Sequence, residues 1–261
     1  MVSTGAALHA EGLSLRFGAL QAIRGLGLRI EAGARQALIG PNGAGKTTLI
    51  NLLTGVLRPS SGSIRLGDQD ITRLRCDARA RLGLVRTFQI NSLFPSLTPQ
   101  QSVALAICER EGLCSAWWRP LRRCTEVHDE AHELLRRLHL DDVAGRRVRE
   151  LAYGKQRLLE IALALAARPR ILLLDEPAAG VPAGESAELF DVIDGLPADI
   201  SILFIEHDMD LVFRFARRIS VLVAGSIVAE GEPRRIAEDP LVREVYLGKS
   251  RAGAAAGGRD G

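Results

Sequence analysis

The sequence predicts an α/β fold: a mixed sheet whose parallel strands are joined by crossover helices, an antiparallel β section at the N-terminal end, and a helical section inserted in the middle. Three observations predict it. Short apolar runs alternate with glycine turns through the first third of the chain. A glycine-rich loop at Gly40–Thr47 stands between a strand pattern and a helix pattern. From Lys155 onward, helix and buried strand follow one another in turn.

Leu13–Phe17, Ile23–Ile30 and Ala34–Ile39 read as strands of a partly antiparallel sheet. Lys46–Leu57 places Leu49, Ile50, Leu52, Leu53 and Val56 at helical spacing, and Arg58-Pro59 stops that helix. Ile64–Leu66, the turn Gly67-Asp68 and Ile71 read as a hairpin. Between Ile90 and Glu150 the pattern changes to helices with charged faces. It opens at Thr98-Pro99-Gln100-Gln101, a capping box with proline at the first helical position. Ile171–Leu174 and Ser201–Ile205 have the apolar character of buried parallel strands, and the helix between them, Gly184–Leu196, carries the stripe Leu189, Val192, Ile193 and Leu196. Val221–Ala224, Gly225 and Ile227–Ala229 suggest a closing hairpin, and Lys249–Gly261 reads as a disordered Gly/Ala-rich tail. No internal repeat is visible. The expected organisation is one domain over 1–248, a helical subdomain inserted at about 90–167, and a tail at 249–261.

A chain of 261 residues can bury a substantial core. Its hydrophobic content, 47%, is ordinary, and no stretch approaches the ~20 uncharged apolar residues that a bilayer-crossing helix needs. Met1–Ala10 lacks the basic start and apolar block of a secretory signal, so a cytoplasmic chain is expected. Cys76, Cys108, Cys114 and Cys124 form no C-x-x-C pair and no zinc-like spacing, and read as reduced thiols. A formal charge of +3 is too small to argue for nucleic acid. Arginines do cluster at Arg119, Arg122 and Arg123 and at Arg146, Arg147 and Arg149. The acids Glu126, Asp129, Glu130, Asp141 and Asp142 are interleaved with them, as on a solvated helical face, and no aromatic stripe is present to stack bases.

Gly40-Pro41-Asn42-Gly43-Ala44-Gly45-Lys46-Thr47 fits G-x-x-x-x-G-K-[ST], and it sits where a phosphate loop must, after a strand and before a helix. Its glycines let successive backbone N–H groups converge on phosphate oxygens, and the helix N-terminus adds its positive end. Lys46 can reach the β- and γ-phosphates, and Thr47 can bind magnesium. This loop alone leaves kinases, GTPases and other ATPases open. No guanine-reading N-K-x-D segment occurs, which argues against a GTPase. Ile171-Leu172-Leu173-Leu174-Asp175-Glu176 is a buried strand ending in two acids: Asp175 can hold magnesium, and Glu176 can polarise a water aimed at the γ-phosphate.

With these segments the chain strongly resembles the ABC ATPase family, whose landmarks arrive in order over nearly its whole length. Beyond the two nucleotide motifs there are Phe17, Gln89 in Thr87-Phe88-Gln89, the signature Leu151-Ala152-Tyr153-Gly154-Lys155-Gln156-Arg157, and His207 in Ile205-Glu206-His207-Asp208. The resemblance implies a P-loop ATPase core that binds ATP and Mg2+. It implies nucleotide contacts from Gly40 through Thr47 and from Thr48, a Phe17 ring stacked on adenine, and metal contacts from Thr47, Gln89 and Asp175. It assigns catalysis to Glu176 and His207, with Gln89 reporting on the γ-phosphate and His207 bridging that phosphate and the attacking water. The signature residues Leu151, Ala152, Tyr153, Gly154 and Lys155, ahead of a helix from about Gln156 to Ala167, then grip the nucleotide of an opposite subunit.

Within that family the likeness is greatest to the ATP-binding subunits of branched-chain amino acid (Liv-type) importers. It is carried by Arg86-Thr87-Phe88-Gln89, Leu151-Ala152-Tyr153-Gly154, Glu176-Pro177-Ala178-Ala179-Gly180, Ile205-Glu206-His207-Asp208-Met209, Val245-Tyr246-Leu247-Gly248 and the long insertion around Trp117-Trp118. Three positions depart from the family's usual residues. Ala152 stands for the signature serine, although alanine looks normal for the Liv type. Lys155 stands for the signature glutamine, and either faces the partner's phosphate or points to solvent. Pro182 stands where an aspartate is common and Liv-type chains have asparagine.

The partners implied are transmembrane permease subunits, a homologous ATPase subunit in a homo- or heterodimer and, indirectly, a substrate-binding protein, with no nucleic acid. The place implied is the inner face of the cell membrane. Coupling to the permease is expected near Ile90–Pro95, with Leu93 and Phe94 either exposed to it or buried under the helical insertion. Alternatives are a soluble ABC ATPase acting on nucleic acid or ribosomes, an importer ATPase for urea or amides, and a small-molecule kinase. The last would leave Glu176 and the signature without a task.

Overall fold

In strand β7 (Ile171–Asp175), Ile171 and Leu173 point into one apolar core while Leu172 and Leu174 point into another. Strand β8 (Ser201–Ile205) repeats this, with Leu203 and Ile205 on the first side and Ile202 and Phe204 on the second. Successive strand side chains face opposite ways, so a run that is apolar at every position must be covered on both faces. The computed structural model describes residues 6–87, 93–113 and 125–244.

One cover is a four-stranded antiparallel sheet, in the order β2-β1-β4-β5, formed by β1 (Ala6–Phe17), β2 (Leu20–Glu31), β4 (Ser61–Leu66) and β5 (Gln69–Asp70). The central sheet has six strands in the order β10-β9-β3-β8-β7-β6, adding β3 (Arg35–Ile39), β6 (Leu84–Arg86), β9 (Arg218–Val223) and β10 (Ser226–Gly231). Its neighbours run parallel except for the β9–β10 hairpin. The hairpins expected at 64–71 and 221–229 are both present.

The third apolar run of the N-terminal section behaves differently from the first two. Strand β3 leaves the antiparallel sheet and lies between β8 and β9 in the parallel one. Burial explains this: β2 is buried intermittently, whereas all five residues of β3 are buried, which suits only a central strand.

Helix α1 (Lys46–Thr54) lies in the core shared by the two sheets, with Leu49, Ile50, Leu52 and Leu53 fully buried. It ends three residues before the expected Leu57, and Val56 is exposed. Two features end it. Gly55 is left-handed (φ +79°), and a Cβ there would meet Arg79 Nε and Leu74 O at 2.8 Å. Arg79, in α2 (Cys76–Arg81), is 1% exposed and donates to the carbonyls of Leu52 (2.7 Å), Leu53 (2.6 Å), Thr72 (2.9 Å) and Leu74 (3.0 Å). A buried cation thus satisfies the free carbonyls at the negative end of α1.

The second core lies on the opposite face of the six-stranded sheet. Between β6 and β7 the chain carries α3 (Pro99–Arg110), α4 (Thr125–Arg137) and α5 (Tyr153–Ala166), and no strand among the described residues. Helix α3 starts as its capping box predicts: Thr98 Oγ1 accepts from Gln101 N (3.2 Å) and Gln101 Oε1 accepts from Thr98 N (3.0 Å). Val103 and Ile107 of α3, Val127 and Leu135 of α4, and Leu159 and Ile161 of α5 pack in one cluster with α6 (Ala183–Asp194) and α7 (Met209–Phe215). In and after α6 the expected stripe is buried at Leu189, Ile193 and Leu196. Short α8 (Pro233–Glu238) packs through buried Ile236, and buried Val242 follows before the described chain ends at residue 244.

Arg146, Arg147 and Arg149 are exposed, as a solvated face requires, while Arg119, Arg122 and Arg123 lie outside the described residues. So do Cys114, Cys124, Trp117, Trp118 and the 249–261 tail. No helix among the described residues is long and apolar enough to cross a membrane.

If Arg79 holds the end of α1, Arg79→Leu removes its hydrogen bonds to four carbonyls, those of Leu52 and Leu53 in the buried core. The expected loss is about 3 kcal/mol of unfolding free energy. Urea denaturation checks it, through a lower midpoint at unchanged slope.

Candidate functional site

Helix α1 starts without a side-chain cap, so its first-turn N–H groups have no capping side chain. Gly45, at its N-cap, has φ +107°, and a Cβ on Gly40 would lie 2.2 Å from Leu222 O, so backbone geometry alone demands glycine at both positions. Lys46 is 8% exposed, and its Nζ folds back onto the carbonyls of Gly40 (2.7 Å) and Pro41 (3.1 Å). Burial lowers its pKa, an effect opposed by the nearby carboxylates of Glu176 and Asp175. The ammonium is therefore held by two uncharged acceptors, which anionic phosphate oxygens can replace.

Above the loop is a cleft of about 570 Å³ lined by Asn42, Gly43, Ala44, Gly45, Lys46, Thr47 and Thr48, by Glu176 and His207, and by Phe17 at its mouth. Phe17 ends β1 and is 49% exposed beside Leu20, which is 65% exposed. Two uncovered apolar side chains beside a phosphate-shaped loop offer a platform for a flat heterocycle.

The acids come from the next parallel strands. Asp175 ends β7, and Glu176 follows with φ +50°. That left-handed backbone costs a non-glycine residue about 1–3 kcal/mol. It is held by Glu176 N donating to Ile205 O (3.0 Å) and by Ala179 N donating to Glu176 O (3.0 Å). Across the gap, His207 follows β8, just before α7, whose N-cap Asp208 accepts from Asp210 N and Leu211 N. His207 Nε2 lies 2.7 Å from Glu176 Oε1. An ionised carboxylate only accepts, so Nε2 carries the proton and the imidazole fixes the direction of the carboxylate. Both groups stay nearly half exposed, within reach of water.

Sequence reasoning gave no role to the buried Glu206, which ties these loops together. Its carboxylate accepts from Ala178 N (2.9 Å) and His207 N (3.2 Å), and burial raises its pKa against the pull of those donors. Arg86 and Asn51 were also missed. Arg86, at the end of β6, donates to Asp175 Oδ2 (2.5 Å) and to Asn51 Oδ1 (2.7 Å) on α1. Arg86 enters the sequence reading only as part of the Liv-type phrase Arg86-Thr87-Phe88-Gln89, and Asn51 not at all. The pairing of β6 with β7 brings Arg86 to the acid, and α1 brings Asn51 to Arg86.

The donors fit magnesium, a hard ion that takes oxygen ligands and keeps much of its shell from phosphate and water. Thr47 lines the cleft, and Asp175 Oδ1 makes no hydrogen bond among the described residues. No group of three or more His, Cys, Asp or Glu side chains converges there to form a closed cage, again among the described residues. Gln89, the third expected ligand, lies outside the described residues.

The signature residues are not in this cleft. Ala152 is the N-cap of α5 without a side-chain cap bond, and Tyr153 and Gly154 are in its first turn, so the helix begins three residues earlier than expected. Ala152, Gly154 and Lys155 instead line a groove against α6. Within the chain, Lys155 Nζ donates to His139 O and to Asp142 Oδ1 (3.1 Å). Pro182 is the N-cap of α6 and supplies no side-chain donor or acceptor. A backbone link exists nonetheless, since Tyr153 Oη and Arg157 each donate to Ala179 O at 3.1 Å, three residues after Glu176. Arg157 also pairs with buried Glu160 (3.0 Å), whose carboxyl burial pushes up to about 7. Leu93 is buried and Phe94 is 60% exposed, so the two side chains divide the alternatives expected for them.

A family model described as ABC transporter matches residues 23–179. The chain is 40% identical to the high-affinity branched-chain amino acid transport ATP-binding protein BraF of Pseudomonas aeruginosa, over 93% of this chain and 98% of that protein. It is 41% identical to LivG of Escherichia coli, a protein of the same description, over the same shares. Among solved structures, the ADP conformation of MJ1267, an ATP-binding cassette of an ABC transporter, superposes with a TM-score of 0.83 at 32% identity. That superposition covers 94% of this chain and all of the other.

If His207 orients Glu176 without holding nucleotide, His207→Ala should lower kcat for ATP hydrolysis about 10²-fold while the ATP Kd changes less than about threefold. Steady-state phosphate release and equilibrium nucleotide binding measure the two separately.

Proposed function

The chain belongs to the ABC transporter family, as an ATP-binding subunit that hydrolyses ATP, and from that membership we propose that it energises import of branched-chain amino acids through a membrane-embedded permease. The observation that carries the mechanism is the Glu176–His207 pair, 2.7 Å apart and in the same cleft as the phosphate loop. In this reading ATP lays its base against Phe17 and its phosphates over Gly40–Thr48. Lys46 exchanges the carbonyls of Gly40 and Pro41 for phosphate oxygens. Thr47, Asp175 and Gln89 would hold Mg2+, which would supply positive charge against the β- and γ-phosphates. Glu176, aimed by His207, accepts a hydrogen bond from the attacking water and raises its nucleophilicity; the products are ADP and phosphate.

The signature turn lies outside this cleft, which supports a role on the nucleotide of a second ATPase subunit. Helix α5 presents the uncapped, positive end that a γ-phosphate prefers. ATP between the two subunits closes them, and hydrolysis lets them part. Tyr153, Arg157 and the Ala179 carbonyl connect the signature turn to the segment that follows Glu176. Exposed Phe94 supports a permease contact at the edge of the helical insertion, on the cytoplasmic face of the membrane.

The test is reconstitution of the chain with its permease, its homologous ATPase subunit and the substrate-binding protein in vesicles. ATP-dependent leucine uptake is expected, and Phe94→Asp should lose co-purification with the permease and at least about tenfold of uptake while the isolated chain keeps its ATPase rate. Uptake of another solute with no response to leucine would overturn the substrate reading.

A further inference from the structure

The ion pair on Asp175 has no role in the mechanism above. Arg86 and Asp175 end adjacent parallel strands, and their side chains are only 20% and 14% exposed. One arm of the guanidinium takes Asp175 Oδ2 at 2.5 Å, and the other takes Asn51 Oδ1 at 2.7 Å on the helix that begins with Lys46 and Thr47. A short, charge-assisted contact of this kind is strong where water is scarce. Without nucleotide the site therefore balances two cations, Lys46 and Arg86, against two anions, Asp175 and Glu176. Nucleotide phosphates upset that balance, and a divalent ion restores it.

We propose that Arg86 is a built-in counter-cation of Asp175, a positioning residue that carries part of the charge magnesium would otherwise supply and so sets how strongly ATP binding depends on Mg2+. This rests on the reading of Asp175 as a magnesium-binding acid. With Arg86 present, Asp175 repels phosphate less, and the phosphate loop binds ATP appreciably before the metal arrives. Without it, Asp175 is a bare anion beside the phosphates, metal-free ATP is disfavoured, and Mg2+ gains a more negative ligand. The coupling between ATP and Mg2+ must then grow. An ion pair that served only to hold β6 against β7 would behave otherwise, because its loss would weaken both states of the site by the same factor.

The quantity to read is the ratio of the Kd for a fluorescent ATP analogue in EDTA to that in excess Mg2+, measured on the full chain. Arg86→Gln should raise the ratio about tenfold, mainly by weakening metal-free binding. Arg86→Lys, which keeps the charge, should stay within about twofold of wild type. Should the glutamine variant not fold, Asn51→Asp draws Arg86 away from Asp175 and should raise the ratio in the same direction. A wild-type ratio of one would remove the magnesium reading and this inference with it. A wild-type ratio above one that Arg86→Gln or, in its place, Asn51→Asp leaves unchanged would overturn the inference alone, as would a rise with Arg86→Lys equal to that with Arg86→Gln.

Discussion

The placement of helix α1 between two sheets is the constraint on which the site depends. Four large aliphatic residues of a nine-residue helix are buried, and its far end is locked by Arg79 against Leu52 and Leu53. The helix cannot slide or tilt without opening that core. Its uncapped start is therefore a fixed positive pole, and the glycines of the loop let the backbone wrap around whatever anion sits there. The parallel strands β7 and β8 pair side by side, so Glu176 and His207, which follow them, reach the same cleft by strand order rather than by nearness in sequence.

The same geometry explains why Glu176 tolerates a strained backbone. Glu176 is held left-handed by Ile205 O, by the turn closed through Ala179 N and by Glu206, which clasps the loops after both strands. Loops that must present half-exposed side chains to water are otherwise free to wander. Here a buried carboxylate and one carbonyl pin them. The Ala179 carbonyl also receives Tyr153 and Arg157, so the signature helix is hydrogen-bonded directly to the segment leaving Glu176. Pro182 deprives the next turn of a polar side chain, but this link does not need one.

Much of this was legible in the residues. The glycine-rich loop carries its own physics, since only one order of strand, glycine turn and helix makes it useful, and the double acid at the end of β7 follows an apolar run that only a buried parallel strand explains. The limits are equally physical. Helix α1 was drawn to Leu57 because Val56 kept the helical period, whereas a left-handed Gly55 and an arginine 24 residues downstream end it. Strand β3 was grouped with its sequence neighbours because local pattern does not reveal sheet order. Arg86, Asn51, Glu206 and Arg157 were not assigned roles because their partners are set by strand adjacency and helix packing. The intrachain partners of Lys155, His139 and Asp142, come from the turn after α4 and are equally invisible in local sequence.

The central claim is that Glu176 activates the water and that ATP closes two subunits over the signature. Glu176→Gln removes the charge at nearly constant shape, so hydrolysis and oligomeric state measured together on that variant, in ATP and Mg2+, test it most directly. The account predicts at least about a 10²-fold loss of turnover with an ATP-dependent dimer that persists on size exclusion. Turnover at the wild-type rate would contradict the assignment of Glu176; an inactive variant that binds ATP yet stays monomeric, alone and with any homologous ATPase subunit, would contradict the two-subunit closure.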